Sequence, residues 1–147
     1  MKQVVFGVAA ILLLLPRSVL ADEIAAAILQ SGSASWDGGA FAYPQGQPEI
    51  SVQKITAHPN GKQVELPVHC HPVPLSGYVL KGSVTVVTAA GKSRLFKTGE
   101  AFIEVSNTWH KGIFNEDTEL LVFYAGKKGV PLVVKQGDSS PFAKECK

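Results

Sequence analysis

The sequence holds no glycine-rich phosphate loop, no stripe of basic residues interleaved with aromatics, and no usable internal repeat. The first two absences remove the common signatures of nucleotide-phosphate and nucleic-acid binding. The third argues against a stacked-repeat solenoid. Cysteine is scarce, with Cys70 and Cys146 the only two. Helix-favouring runs are missing outside the N-terminus, whereas glycine (14) and proline (9) are frequent, which favours short strands joined by turns. At 147 residues there is room for one core and not two. Hydrophobic residues at 46% and charged residues at 18% give a globular rather than a disordered composition.

The one long apolar run lies at the start. Met1-Lys2 leads into VVFGVAAILLLLP, followed by Arg17-Ser18 and Val19-Leu20-Ala21. A positive charge, a short apolar core and a small residue at the cut describe a secretory signal peptide over residues 1–21, cleaved after Ala21. The alternative is an uncleaved anchor, but the apolar core falls short of the roughly 20 residues that a span needs. The expected location is therefore periplasmic or secreted, with no stable membrane anchor after cleavage. Removing residues 1–21 takes Lys2 and Arg17 and no acid, leaving twelve bases against twelve acids. The basic pI of the full chain is then no argument for a nucleic-acid partner.

Residues 22–30 (DEIAAAILQ) read as a short helix with acids in the first turn. Residues 31–48, rich in Ser, Gly, Pro and Gln, read as an irregular arm with one edge strand at 41–43 and Trp36 pinning it to the body. Strand-like segments then follow at short spacing: 49–57, 63–71 interrupted by Pro67, 78–80, 83–89, 93–97, 101–105, 118–126 and 130–135, separated by turns such as His58-Pro-Asn-Gly, Lys81-Gly82 and Thr98-Gly99. A further strand follows the 106–109 loop, and residues 137–147 read as a loose tail. Many short strands with regular turn signals indicate an all-β sandwich or barrel in one domain.

His69 and His71 stand at i and i+2 on a strand, so both imidazoles share a face. His110 lies about forty residues later on another strand or its leading loop. Three histidines facing one interior make a candidate site for a divalent metal, because neutral imidazole suits Zn, Cu, Fe and Ni. Cys70, between the two histidines, points to the opposite face and reads as a packed thiol first, a disulfide partner second and a metal ligand last. Glu104 lies within an apolar strand. Strand alternation favours an outward, solvated side chain; a cavity-facing carboxylate there would act as a general base or substitute ligand. Tyr78 and Trp109 are candidates for lining a small-molecule pocket, with plain packing as the competing reading. His58 reads as a solvent-facing turn residue.

The stretch HCHPVPLSGYVLKGSVTV, from His69 to Val86, resembles the first motif of the cupin superfamily: a His-x-His pair, then a strand and a turn glycine, here Gly82. GEAFIEVSNTWHKGIFN, from Gly99 to Asn115, resembles the second, with His110 at the position of the histidine that completes the metal site. The arm around Trp36-Asp37-Gly38 and Tyr43-Pro44 is similar to that of small exported bacterial cupins of the type-2 kind. The resemblance implies a jelly-roll β-barrel over residues 48–136, between an N-terminal arm (22–47) and a C-terminal tail (137–147). It also implies a metal held by His69, His71 and His110, with Fe, Mn, Zn, Cu or Ni all open, and a homodimer as the expected assembly.

Two departures from the pattern bear on function. Leu75 holds the place where the first motif usually supplies a metal-binding glutamate, and residues 72–77 offer no carboxylate. Val105 and Asn107 replace the usual proline and glycine of the second motif, and Asn115 lies one residue beyond its usual asparagine. Three protein ligands with open positions still leave room for water or substrate. The functional expectation is a metal-dependent enzyme on a small molecule, dioxygenase-like or isomerase-like. The alternative is a non-catalytic barrel that binds a small ligand or the metal itself, or a remnant barrel with a structural role.

Overall fold

Period-two alternation is what builds this molecule. In the computed structural model, which describes residues 24–147, strand β9 (Thr118–Lys127) buries Thr118, Leu120, Val122, Tyr124 and Gly126 and turns the residues between them outward. Strand β5 (Ser83–Thr88) buries Val84, Val86 and Thr88 in the same way. Each strand is therefore apolar on one face, and a face of that kind is stable only against another.

The remaining strands are β1 (Pro48–Ala57), β2 (Val64–Glu65), β3 (His69–Cys70), β4 (Leu75–Lys81), β6 (Ser93–Lys97), β7 (Ala101–Ile103), β8 (His110–Phe114) and β10 (Val134–Lys135). They form two sheets, one in the order β1-β9-β4-β7 and the other in the order β10-β3-β8-β5-β6, with β2 also paired to β8. Every pairing is antiparallel. The inner faces meet over a core that includes Val73, Val79, Val84, Val86, Phe96, Phe102, Phe114, Leu120, Val122 and Tyr124. Phe96 and Phe102 stack there with ring centroids 4.3 Å apart. This is the all-β jelly-roll barrel expected.

Several local expectations need correction. Residues 24–30 form no helix; Ile24 and Ile28 are almost fully exposed, and so short a segment without a packed face cannot offset helix nucleation. Residues 41–43 form no strand: the arm has only an isolated bridge between Ala34 and Ala40, which closes a turn, and β1 takes the place beside β9. Strand β10 is confined to Val134–Lys135, since Pro131 has no N–H to give a ladder. The tail is not loose. A 3-10 helix covers Pro141–Glu145, and a disulfide joins Cys146 to Cys70. The first-ranked reading of Cys70 as a free packed thiol is thereby replaced by the second. Trp36 does pin the arm, its backbone N–H donating to the Ile103 carbonyl and its ring meeting Phe96 edge-on. The signal-peptide expectation, residues 1–21, lies outside the described residues. Among the described residues no helix is long and apolar enough to cross a membrane.

Candidate metal centre and cavity

Backbone pairing explains how the three histidines meet. His69 is the register partner of His110 across β3 and β8. His71 follows at i+2 on the side of His69. The three rings lie with centroids 4.4–5.0 Å apart, all buried. Their ligand atoms gather within 4.8 Å of one another.

Each imidazole is oriented by its Nδ1. That atom lies 2.8 Å from the Pro67 carbonyl in His69, 2.8 Å from the Leu132 carbonyl in His71 and 2.7 Å from the Thr108 carbonyl in His110. A carbonyl oxygen only accepts, so each Nδ1 carries the proton and donates it. In a neutral ring this leaves the Nε2 lone pair free as a ligand. The rings are held neutral. Burial lowers the pKa of all three, with His110 adding repulsion at His69 and His71, and brings His71 down to about 3. Three neutral imidazoles with fixed tautomers and convergent lone pairs fit the donor chemistry of a divalent metal.

The cluster opens into a cavity of about 420 Å³ between the two sheets. Its walls are mostly apolar and include Leu75, Val84, Val86, Phe102, Phe114, Leu120 and Val122, with Lys135 and Gln53 also on the boundary. Tyr124 donates its hydroxyl to Gln53 Oε1 at 3.1 Å, and its ring lies edge-on to His71. Burial pushes the Tyr124 phenol up to about 12, with the Glu104 charge adding to it, so the group stays a donor.

Glu104 reverses the alternation argument. It is buried and lines the cavity. Phe102, two residues earlier, is the inward member of β7, and period two carries the same facing on to Glu104. Burial raises the carboxyl's pKa, and hydrogen bonds from Trp36 and Val105 pull it part of the way back. Trp36 Nε1–H and the Val105 backbone N–H both donate to Oε1 at 2.9 Å. The arm, hydrogen-bonded to Ile103 at the edge strand β7, thus fixes a carboxyl in the cavity wall. Glu104 is outside the compact ligand cluster of the three histidines.

Tyr78 and Trp109 do not border this cavity. Tyr78 lies on the outer face of β4, beside a shallow groove shared with Ile28 and Leu29. Trp109 is half-buried in the loop before β8, its backbone N–H donating to the Lys147 carbonyl. Leu75, in place of a carboxylate, adds an apolar wall. His58 is exposed on its turn, 3.4 Å from Asp117. Leu132, Tyr124 and the Trp36–Glu104 pairing left no local signal in the sequence, since each contact spans a long stretch of chain.

Comparison with solved structures finds partial likenesses at low identity. A protein of Neisseria meningitidis shares 17% identity, covering 54% of this chain and 84% of its own, with a TM-score of 0.46. A cupin-2 domain containing protein from Shewanella frigidimarina shares 13%, covering 52% and 70%, at 0.44. An oxalate oxidase in complex with the substrate analogue glycolate shares 23%, covering 59% of this chain but only 46% of its own, at 0.48. No curated protein matches the sequence. Residues 55–126, which carry His69, His71 and His110 and most of both sheets, match the family model of the Cupin domain, and the chain belongs to the cupin superfamily.

Proposed function

We propose that this chain is a metal-dependent cupin that takes a small, mainly apolar molecule into the barrel and moves a proton on it, with Glu104 as the acid–base group. The observation that carries this reading is the convergence of three Nε2 lone pairs and one buried carboxyl on a single cavity of about 420 Å³. A divalent ion held by His69, His71 and His110 would supply Lewis-acid polarisation of a substrate oxygen, or dioxygen chemistry were it iron. The chain's own residues supply the rest. The mostly apolar walls lower the local dielectric and so strengthen electrostatic contacts inside. Burial brings the Glu104 carboxyl closer to the pH at which a general acid–base group works. Both of its protein donors engage Oε1, so Oε2 has no protein hydrogen bond among the described residues and is the oxygen free to exchange a proton.

One observation favours a second reading. With Leu75 in the wall, all three candidate ligands are neutral, and a site without an anionic ligand holds its metal less tightly. A non-catalytic barrel that binds a small ligand or the metal itself is the alternative. We also infer export to an oxidising compartment, supported by the apolar N-terminal run and the Cys70–Cys146 disulfide, since disulfides persist in such compartments.

The test has two parts. Protein purified without chelator or affinity metal is assayed for bound metal by plasma mass spectrometry. A panel of small carbonyl compounds is then screened for solvent deuterium wash-in with the wild type and with Glu104→Gln. Near-stoichiometric metal and wash-in that falls about 100-fold in the variant are expected. Absence of metal after anaerobic reconstitution, or wash-in indifferent to Glu104, overturns the reading.

A further inference from the structure

The segment after β9 forms only one two-residue strand, yet it holds the histidine cluster at several points. In β10, Val134 and Lys135 pair with Cys70 and His69. The Leu132 carbonyl accepts from His71 Nδ1. Beyond the 3-10 helix, Cys146 is bonded to Cys70, which ends β3 fully buried between His69 and His71. The last contact is the most specific. Lys147 N–H donates to the Asn107 carbonyl at 2.9 Å, and Trp109 N–H donates to the Lys147 carbonyl at 2.8 Å. These two bonds bracket Thr108, whose carbonyl orients the His110 ring. Asn107 N–H in turn donates to the His71 carbonyl at 2.9 Å, closing the loop back on β3.

The bracket needs a fastener. The 3-10 helix is one short turn with no buried residue, and β10 offers two ladder positions, so neither fixes residues 146–147 firmly. The Cys70–Cys146 bond does so directly, tying the bracket to the strand that carries His69. Metal-binding histidines depend on the carbonyls that accept from their other nitrogen, and disturbing such partners typically costs about 10–100-fold in affinity.

We propose that Cys146 and Lys147 are positioning residues for His110, and that the Cys70–Cys146 disulfide, by holding them, sets the site's affinity for divalent metal. The proposal rests on the three-histidine metal reading. Reduction by a dithiol delivers two electrons and two protons to the sulfur pair, leaving two thiols while the reagent closes into its own disulfide. The freed segment then no longer brackets Thr108, and the His110 Nδ1 acceptor drifts. The metal site is complete in an oxidising compartment and weakened in a reducing one.

The experiment compares four samples of the full chain: oxidised wild type, wild type reduced and freed of reagent under anaerobic conditions, Cys146→Ser, and the Cys70→Ser/Cys146→Ser double variant. Zinc affinity is measured by competition with a chromophoric chelator. In the metal-free protein, imidazole nitrogen NMR reads the tautomer of each ring. Circular dichroism melting establishes that each sample is folded. Zinc binding about 10–100-fold weaker in all three altered samples is expected, with loss of the fixed His110 Nδ1–H signal. The His69 signal, set by the Pro67 carbonyl two residues before it, is retained. The double variant separates loss of the clasp from capture of metal by a free Cys70 thiol. Folded variants with unchanged zinc affinity overturn the proposal. If oxidised wild type binds no zinc, the metal reading fails, and the clasp is judged on NMR alone: an unchanged His110 tautomer in the variants overturns it. If Cys146→Ser does not fold, reduced wild type below its melting temperature is judged by the same two criteria.

Discussion

His69 and His110 are direct cross-strand partners, the register pair that joins β3 to β8, with ring centroids 4.4 Å apart. Residues opposite each other on antiparallel strands share a face, so this one pairing brings the third histidine to the first two, leaving the loop before β8 to orient its ring. Replacing His110 by alanine leaves the ligands on and just after β3 and removes the one that β8 supplies. Metal affinity is expected to fall by more than about 100-fold, beyond the loss seen when only an orienting partner is removed. Equilibrium dialysis with metal analysis checks this, alongside a melting curve showing that the barrel persists. Unchanged metal content in a folded variant would mean that the site lies elsewhere.

Leu75→Glu restores a carboxylate where the resemblance expects one, in the wall of the same cavity. Leu75 is 5% exposed, so the new carboxyl is buried. Without metal, an unpaired buried polar group is expected to cost about 1–3 kcal/mol or more, lowering the melting temperature. With metal, an added anionic ligand should bind more tightly than the wild type and recover that loss. The informative result is the sign change between metal-free and metal-loaded melting curves. A variant equally destabilised in both states would show that position 75 does not reach the metal.

Much of this was legible from spacing alone. Alternation in residues 83–89 and the β-rich run 118–126 marked two strands of the barrel, and the i, i+2 spacing of His69 and His71 marked their common face. Asn107 shows a substitution the sequence flagged without explaining: it stands where the second motif usually has glycine, and its φ of 52° is left-handed, a conformation asparagine tolerates better than most residues. What stayed hidden needed knowledge of partners far along the chain. Alternation assigns faces only relative to a residue known to point inward, and taking Ala101 rather than Phe102 as that residue sends Glu104 the wrong way. The tail looked loose because its order comes from a disulfide across a separation of 76 residues and from hydrogen bonds to the 107–109 loop, neither of which leaves a local pattern.

Trp36→Phe keeps most of the ring that meets Phe96 and removes the Nε1–H that donates to Glu104. That hydrogen bond lowers the carboxyl's pKa against burial, which raises it. Without it, the folded-state value should rise further, visible as an upward shift in a carboxyl-carbon NMR titration. A Glu104 that titrates higher when folded than when unfolded makes the native state the better proton binder. The variant should therefore lose stability more steeply than the wild type as pH rises through that range. Loss of the bond itself should cost about 1–2 kcal/mol. A titration that does not move would show that Trp36 has no electrostatic hold on Glu104.

The metal-free protein should be acid-sensitive. His71 is held at about 3 when folded, against 6.5 in its ordinary state, and His69 and His110 are lowered as well. Between those values the unfolded chain takes up more protons than the folded one. Stability is then fully present above the ordinary histidine value and is lost as pH falls towards the folded one. Glu104 works in the opposite direction, but it is one group against three. Melting of the chelator-treated protein from about pH 7.5 down to about pH 5 should show a steady fall. His71→Gln, which removes one of the three titrations, should flatten the slope. A flat profile for the wild type would contradict neutral burial of the cluster.

The turn glycines of the two motifs look equivalent in sequence but should differ in consequence. Gly82 has a φ of 72°, and a Cβ there would come within 2.3 Å of the Asp117 carbonyl oxygen and 2.7 Å of Thr118 Oγ1. The obstacle is backbone, which cannot swing away, and the Thr118 hydroxyl is itself bonded to the Ser83 and Glu116 carbonyls. Gly99 has a φ of 87°, with open space around the Cβ position. Gly99→Ala is therefore expected to incur backbone strain alone, about 1–2 kcal/mol. Gly82→Ala adds overpacking to the same strain, for a total of about 2–5 kcal/mol. Urea midpoints of the two variants, measured under identical conditions, should be ordered with Gly82→Ala the lower. Equal midpoints would mean that the approach of the 116–118 turn to Gly82 is looser than the geometry requires, and that the glycine is kept there for its conformation only.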